Sequence, residues 1–192
     1  MDLTLKTYDE EVFQNISLQK KNLCNKEFLN CVFKKCDLRE CNFAGSIFIG
    51  CVFDSTNLTN MNVDKCSFRD VSFKGCKLIG IIFSTINTFL NSWIFTNCKL
   101  DFCVFRDIKI ENSQFKGCVI KETEFIDTDL RGSDFSNSDL YSSRFQHCDL
   151  RKVNFVGAKN YCINPTENRL KKAKFSQPEV LSLIESLGVV VE

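Results

Sequence analysis

Every fifth residue of this chain is large and apolar. From Phe13 through Leu18, Leu23, Phe28 and Phe33 to Phe83, fifteen consecutive sites contain no polar residue. After an offset of two residues the comb resumes at Leu90 and Phe95 and runs through fourteen further apolar sites to Phe155. Two residues ahead of most comb sites lies a second, mostly small set, such as Cys31, Cys36, Cys41, Ser46 and Cys51 early on and Ser133, Ser138, Ser143 and Cys148 later. The other three positions of each pentad are mainly Asp, Asn, Lys, Arg, Ser and Gly.

A period of five is neither the 3.6 of a helix nor the alternation of a strand. To point one large and one small residue inward from every pentad, the chain must turn a corner every five residues, so that short extended segments become the walls of a coil. Like residues recur at twenty-residue steps: Phe13, Phe33, Phe53 and Phe73 on one wall, Leu18, Leu38, Leu58 and Leu78 on the next. Fifteen-residue steps mix the types, so the coil has four walls. At about 4.8 Å per coil, roughly seven coils make a rod on the order of 35 Å long.

This code also explains the composition. Sixteen of the 19 Phe fall on the comb and ten of the 12 Cys fall in the small slots, where thiols act as small hydrophobes. The cysteine spacing fits neither a disulfide framework nor a zinc site. His147 is the sole histidine and lies on an outward position, so no Ser or Cys nucleophile has a His base. No phosphate-cradling glycine loop occurs. Neither catalysis nor a cofactor nor a metal is expected. With 25 basic against 24 acidic residues and no basic wall interleaved with aromatics, direct binding of nucleic acid is not expected. No export signal and no run of about 18 apolar residues is present, which reads as a cytoplasmic chain without membrane contact.

Departures from the comb are where function has room. The two-residue slip lies between Phe83 and Leu90, and the following small slot holds Trp93. An inward Trp would overfill that slot, so a bulge is expected near 84–94. Ile86, Phe89 and Trp93 are its candidate contact residues, although tolerated drift accounts for the slip equally well. Residues 1–160 then form the repeat body and 161–192 a cap. Ser176, Pro178 and Glu179 read as a capping box opening a helix over about 177–187. Val180, Leu181, Leu183, Ile184 and Leu187 give it apolar faces, Gly188 stops it, and Val189, Val190 and Val191 read as a short strand. That apolar surface exceeds what one plug needs, which favours a homodimer through the tail.

Stretches such as Cys36-Asp37-Leu38-Arg39-Glu40 and Ser138-Asp139-Leu140-Tyr141-Ser142 resemble the pentapeptide-repeat family, whose motif is a small residue, a polar one, Leu or Phe, and two variable positions. The resemblance covers about residues 12–159 and implies an all-β solenoid, a right-handed quadrilateral β-helix with a C-terminal capping or dimerisation helix. Length, a single interruption and the tail further resemble its gyrase-protecting members, of the Qnr, MfpA, AlbG and McbG type. Those resemblances imply a rod that binds DNA gyrase, and possibly topoisomerase IV, in the manner of duplex DNA and shields it from quinolones or peptide toxins. A structural or interaction module with a non-topoisomerase partner is the alternative. Outward acids suited to DNA mimicry are Glu124, Asp129, Asp134, Asp139 and Asp149. The near-neutral charge departs from the acidic character the resemblance implies, and shifts weight toward the slip as the contact.

Overall fold

The computed structural model describes residues 3–87 and 93–189. Its chain winds into a four-sided coil whose strands pair only with those one coil above and below, always in parallel. On the first wall the pairing runs Phe13, Phe33, Phe53, Phe73 at twenty-residue steps. It crosses the slip at a step of twenty-two, Phe73 to Phe95, and continues to Phe115. The second wall carries Leu18 and Leu38, the third Leu23 and Phe43, the fourth Phe28 and Phe48, each buried.

Comb side chains fill the axis. Nine Phe rings form one unbroken column on the first wall, from Phe13 to Phe175, with neighbouring centroids 4.6 to 5.3 Å apart and nearly parallel planes. The offset-stacked geometry that aromatic rings prefer and the spacing of paired strands therefore coincide.

The small slots do more than save space. Thr123 Oγ1 donates to the Leu100 carbonyl at 2.8 Å, and Ser143 Oγ does so to Ile120 at 2.8 Å. Ser138 Oγ accepts from the Cys118 amide at 2.9 Å. At the corners these hydroxyls partner backbone groups that would otherwise be buried unpaired. Thiols take the same position, as Cys66 Sγ does on the Phe43 carbonyl at 2.9 Å. Burial pushes the thiols of Cys51, Cys66 and Cys103 up to about 12, so they remain protonated.

Three expectations change. At Trp93 the wall does not bulge: Val71 pairs with Trp93 in regular register, and the indole is 1% exposed. It fits because its Nε1–H donates to the Phe68 carbonyl at 3.2 Å and its ring leans on Phe83, 5.3 Å away, while the slot above holds only Ser113. Asn87 still bridges to Ser67 at the old step of twenty, so the two extra residues fall between Asn87 and Trp93, outside the described residues. Phe89 lies there too.

Second, the coil does not stop near residue 160. Phe145 pairs with Ile163 at a shortened step of eighteen, and Phe155 pairs with Phe175 at twenty. Tyr161 is buried, and Asn168 fills the next slot, accepting from the Cys148 amide at 2.9 Å. Third, the tail helix is shorter than 177–187: a 3₁₀ turn Glu179–Leu181 runs into a single α-turn Ser182–Glu185. No capping box forms, because Ser176 Oγ accepts from the Gly157 amide of the coil below. Val189 is outside any strand, and Val190 and Val191 lie outside the described residues.

Candidate interaction surface

The five acids singled out from the sequence are distributed around all four walls, and cations offset most of them. Glu124, on the third wall, lies 3.5 Å from Arg106 and 3.9 Å from Arg144. Asp134, on the first, meets Lys116 at 3.3 Å, and Asp139, on the second, accepts from Asn160. Asp129 and Asp149 stack on the fourth wall. The Arg151 guanidinium holds the Asp149 carboxyl below the usual carboxylate range, against the opposing effect of burial. Asp129 is similarly lowered: burial alone would raise it, and Arg131 more than reverses that. No continuous acidic wall results.

Of the candidates at the slip, Ile86 and Trp93 are buried core residues, 7% and 1% exposed, and present no side chain to a partner. Exposed apolar groups occur at several places along the rod, among them Val12, Ile94, Tyr141 and Val156 as well as Ile82 and Phe102. Ile82, in the outward row of the third wall, is 55% exposed, and Phe102 is 54% exposed. Phe102 sits at the corner between the second and third walls, in the left-handed backbone region (φ 57°), where the other described residues are Asn, Asp, Glu, Lys, Ser, Gly and one His. One coil below it is Gly80, whose amide donates to the Asp101 carbonyl at 2.9 Å.

Gly80 and Ile82 also line a groove of about 390 Å³ on the third wall, together with Asn62, Val63, Asp64 and Thr85. Next to Phe102, Asp101 is buried with Lys99 at 2.8 Å, while its Oδ1 has no partner among the described residues. An aromatic at a left-handed corner and a carboxylate oxygen without a partner both run against stability. The signal was legible: Phe102 is one of only three Phe off the main comb.

The tail offers a second surface. Leu183 packs on the core and Val180 is half-buried, whereas Leu181, Ile184, Leu187 and Val189 are exposed. No helix among the described residues is long and apolar enough to cross a membrane. No group of three or more His, Cys, Asp or Glu among them is placed to hold a metal ion.

A long four-sided parallel β-helix, filled by stacked Phe and capped by a short helix, defines a solenoid protein whose chemistry resides on its outer walls. The chain belongs to the pentapeptide-repeat family: it matches the pentapeptide repeat region over residues 26–92 and 88–164. Among solved structures it is similar to a trypsin-treated variant of QnrB1, described as a plasmid-mediated fluoroquinolone resistance protein. That match has 17% identity and a TM-score of 0.64, covering 97% of this chain and 100% of that one. A second trypsin-treated variant of QnrB1 gives 17% identity and a TM-score of 0.69, covering 94% and 98%. At that identity the likeness is one of fold. No curated protein matches this chain in sequence.

Proposed function

We propose that this protein is a non-catalytic binding protein of the cytoplasm that docks on a type II DNA topoisomerase, DNA gyrase or topoisomerase IV, and protects it from a quinolone or peptide poison. The observation that carries the reading is the pair of exposed apolar side chains Ile82 and Phe102, 55% and 54% exposed, next to a groove that Ile82 lines. The end-to-end likeness to a fluoroquinolone-resistance solenoid supports the choice of partner. Because four of the five outward acids are offset by cations, docking is led by this corner rather than by imitation of DNA charge. The same offset favours a second reading, in which the corner meets a partner that is not a topoisomerase.

A supercoiling assay with purified gyrase and a fluoroquinolone or peptide poison separates the two. The protein is expected to restore supercoiling at micromolar concentration. Phe102→Asn is expected to abolish at least nine-tenths of that rescue while melting no earlier than the parent, since Asn tolerates the left-handed corner better than Phe. No effect of the parent protein on supercoiling would transfer the corner to the second reading.

The tail completes the proposal by pairing two copies through Leu181, Ile184, Leu187 and Val189, with Val180 and Leu183 beneath. Ile184→Glu with Leu187→Glu is expected to halve the mass seen by light scattering. An unchanged dimer would remove the tail from the interface.

A further inference from the structure

Coiling sorts charges that alternate along the sequence. At its corner with the third wall the fourth wall carries Asp107, Asp127 and His147 in its later coils, with Glu167 one coil above His147. On its trailing edge, at the corner with the first wall, the last two coils gather Arg151, Lys152, Arg169, Lys171, Lys172 and Lys174. Register places them: Asp149 bridges to Arg169, the Lys152 amide donates to the Lys171 carbonyl at 3.1 Å, and Asn154 pairs with Lys174. One carboxylate, Asp149, stands among these cations, and it is already engaged by Arg151 and, at 4.0 Å, by Arg169. Lys152, Lys171, Lys172 and Lys174 make no ion pair among the described residues. Lys152 and Lys172 both occupy left-handed corner positions, φ 62° and 65°, and project from the edge. Just below, a groove of about 240 Å³ lined by Glu111, Asn112, Arg131, Gly132, Arg151 and Lys152 leads onto the patch, with Glu111 paired to Arg131 at 2.7 Å.

We infer that this edge binds the phosphate backbone of duplex nucleic acid. Each strand of a duplex carries one charge per roughly 3.4 Å of axis, so the ~10 Å spanned by the three coils from Arg131 to Lys171 runs along about three phosphates of one strand. Glu111, Asp129 and Asp149 hold Arg131 and Arg151, which leaves Lys152, Lys171, Lys172 and Lys174 to meet the phosphates. No exposed aromatic lies on this edge to stack unpaired bases, so duplex is favoured over single strand and no sequence is read. Binding here is independent of the apolar corner on the third wall. Sequence reading missed the site because net charge is near zero and acids alternate with bases; only wrapping at twenty residues per coil separates them.

Fluorescence anisotropy with a labelled 20-base-pair duplex tests the assignment on the full chain. With four unpaired lysines engaged, affinity is expected to fall roughly 100-fold between 50 and 200 mM salt. The triple variant Lys152→Glu, Lys171→Glu, Lys172→Glu should lose at least 10-fold in affinity and most of the salt dependence. Its control is Lys21→Glu, Lys35→Glu, Lys65→Glu at the other end, which makes the same change in net charge and likewise includes two left-handed positions. The control should stay within about threefold of the parent. Thermal melts confirm that both variants fold. Absence of binding at 50 mM salt, equal loss in both variants, or tighter binding to phosphatidylglycerol vesicles than to duplex would each overturn the inference.

Discussion

Replacing Phe115 by alanine is expected to lower the free energy of unfolding by about 4 kcal/mol, at the upper end for a single substitution. Its ring is fully buried, stacked between Phe95 at 4.9 Å and Phe135 at 4.6 Å and edge-on to Phe105 and Phe125 at 6.1 and 6.0 Å. The backbone around it is tied to coils above and below and cannot collapse into the space. Because each coil touches only its neighbours, position along the rod matters as much as burial. Phe13, equally buried, has a stacked neighbour on one side only, Phe33 at 4.8 Å. Phe13→Ala is therefore expected to free the first coil, with faster amide exchange confined to residues near 7–15, whereas Phe115→Ala speeds exchange in coils on both sides. Urea unfolding with exchange mass spectrometry distinguishes the cases. Equal and global effects at both sites would show that the rod unfolds as one unit and that the column argument fails.

That contrast shows what a five-residue comb can and cannot convey. Inside against outside is written in residue chemistry, so the period, the four walls and the cores of Phe and Cys were legible before any coordinates. Height along the rod is not written in the same way. It depends on every insertion and deletion between two residues, and the shortened step from Phe145 to Ile163 made Tyr161 and Asn168 look like a polar interruption when both are buried. Trp93 was misjudged for a related reason: its fit depends on a carbonyl twenty-five residues earlier. The capping box was real as a pattern, but Ser176 found a stronger claim on its oxygen in the Gly157 amide.

The outer surface was legible residue by residue and opaque as an arrangement. Asp129, Arg131, Asp149 and Arg151 read as an interleaved and therefore neutral stretch. In the coil, Asp129 and Asp149 stand in one row, and Arg131 and Arg151 follow two residues on toward the next corner, each pair bonded within its own coil. The acids thus serve the arginines beside them, which weakens any charge-led imitation of DNA and directs attention to the two departures from the rule: an aromatic at one corner and an excess of lysine at another. A comb predicts polar residues at corners; Phe102 contradicts it openly, while Lys152 and Lys172 obey it and so escape notice.

The corners themselves carry a code that the comb reading passed over. Nearly every pentad turns on a residue with positive φ, and glycines at these turns tend to stand twenty residues after an asparagine: Asn30 under Gly50, Asn112 under Gly132, Asn137 under Gly157. The Asn side chain below reaches into the space a side chain above would need. At Gly50 an added Cβ would lie 2.6 Å from Asn30 Oδ1, with φ at 63°. At Gly75, φ 59°, the nearest atom is Ser55 Oγ at 3.8 Å. Gly75→Ala is therefore expected to cost about 1 kcal/mol, the penalty of left-handed backbone alone. Gly50→Ala is expected to cost about 3 kcal/mol, the rest arising from eviction of the Asn30 amide. Adding Asn30→Gly removes the obstruction but leaves the backbone strain, so the double variant should recover about half of that loss, a coupling of roughly 1 to 2 kcal/mol. Urea unfolding of the parent, both single variants and the double gives the coupling directly. Strict additivity would mean that Asn30 swings aside at no cost and that the recurrence of Asn below Gly has no packing origin.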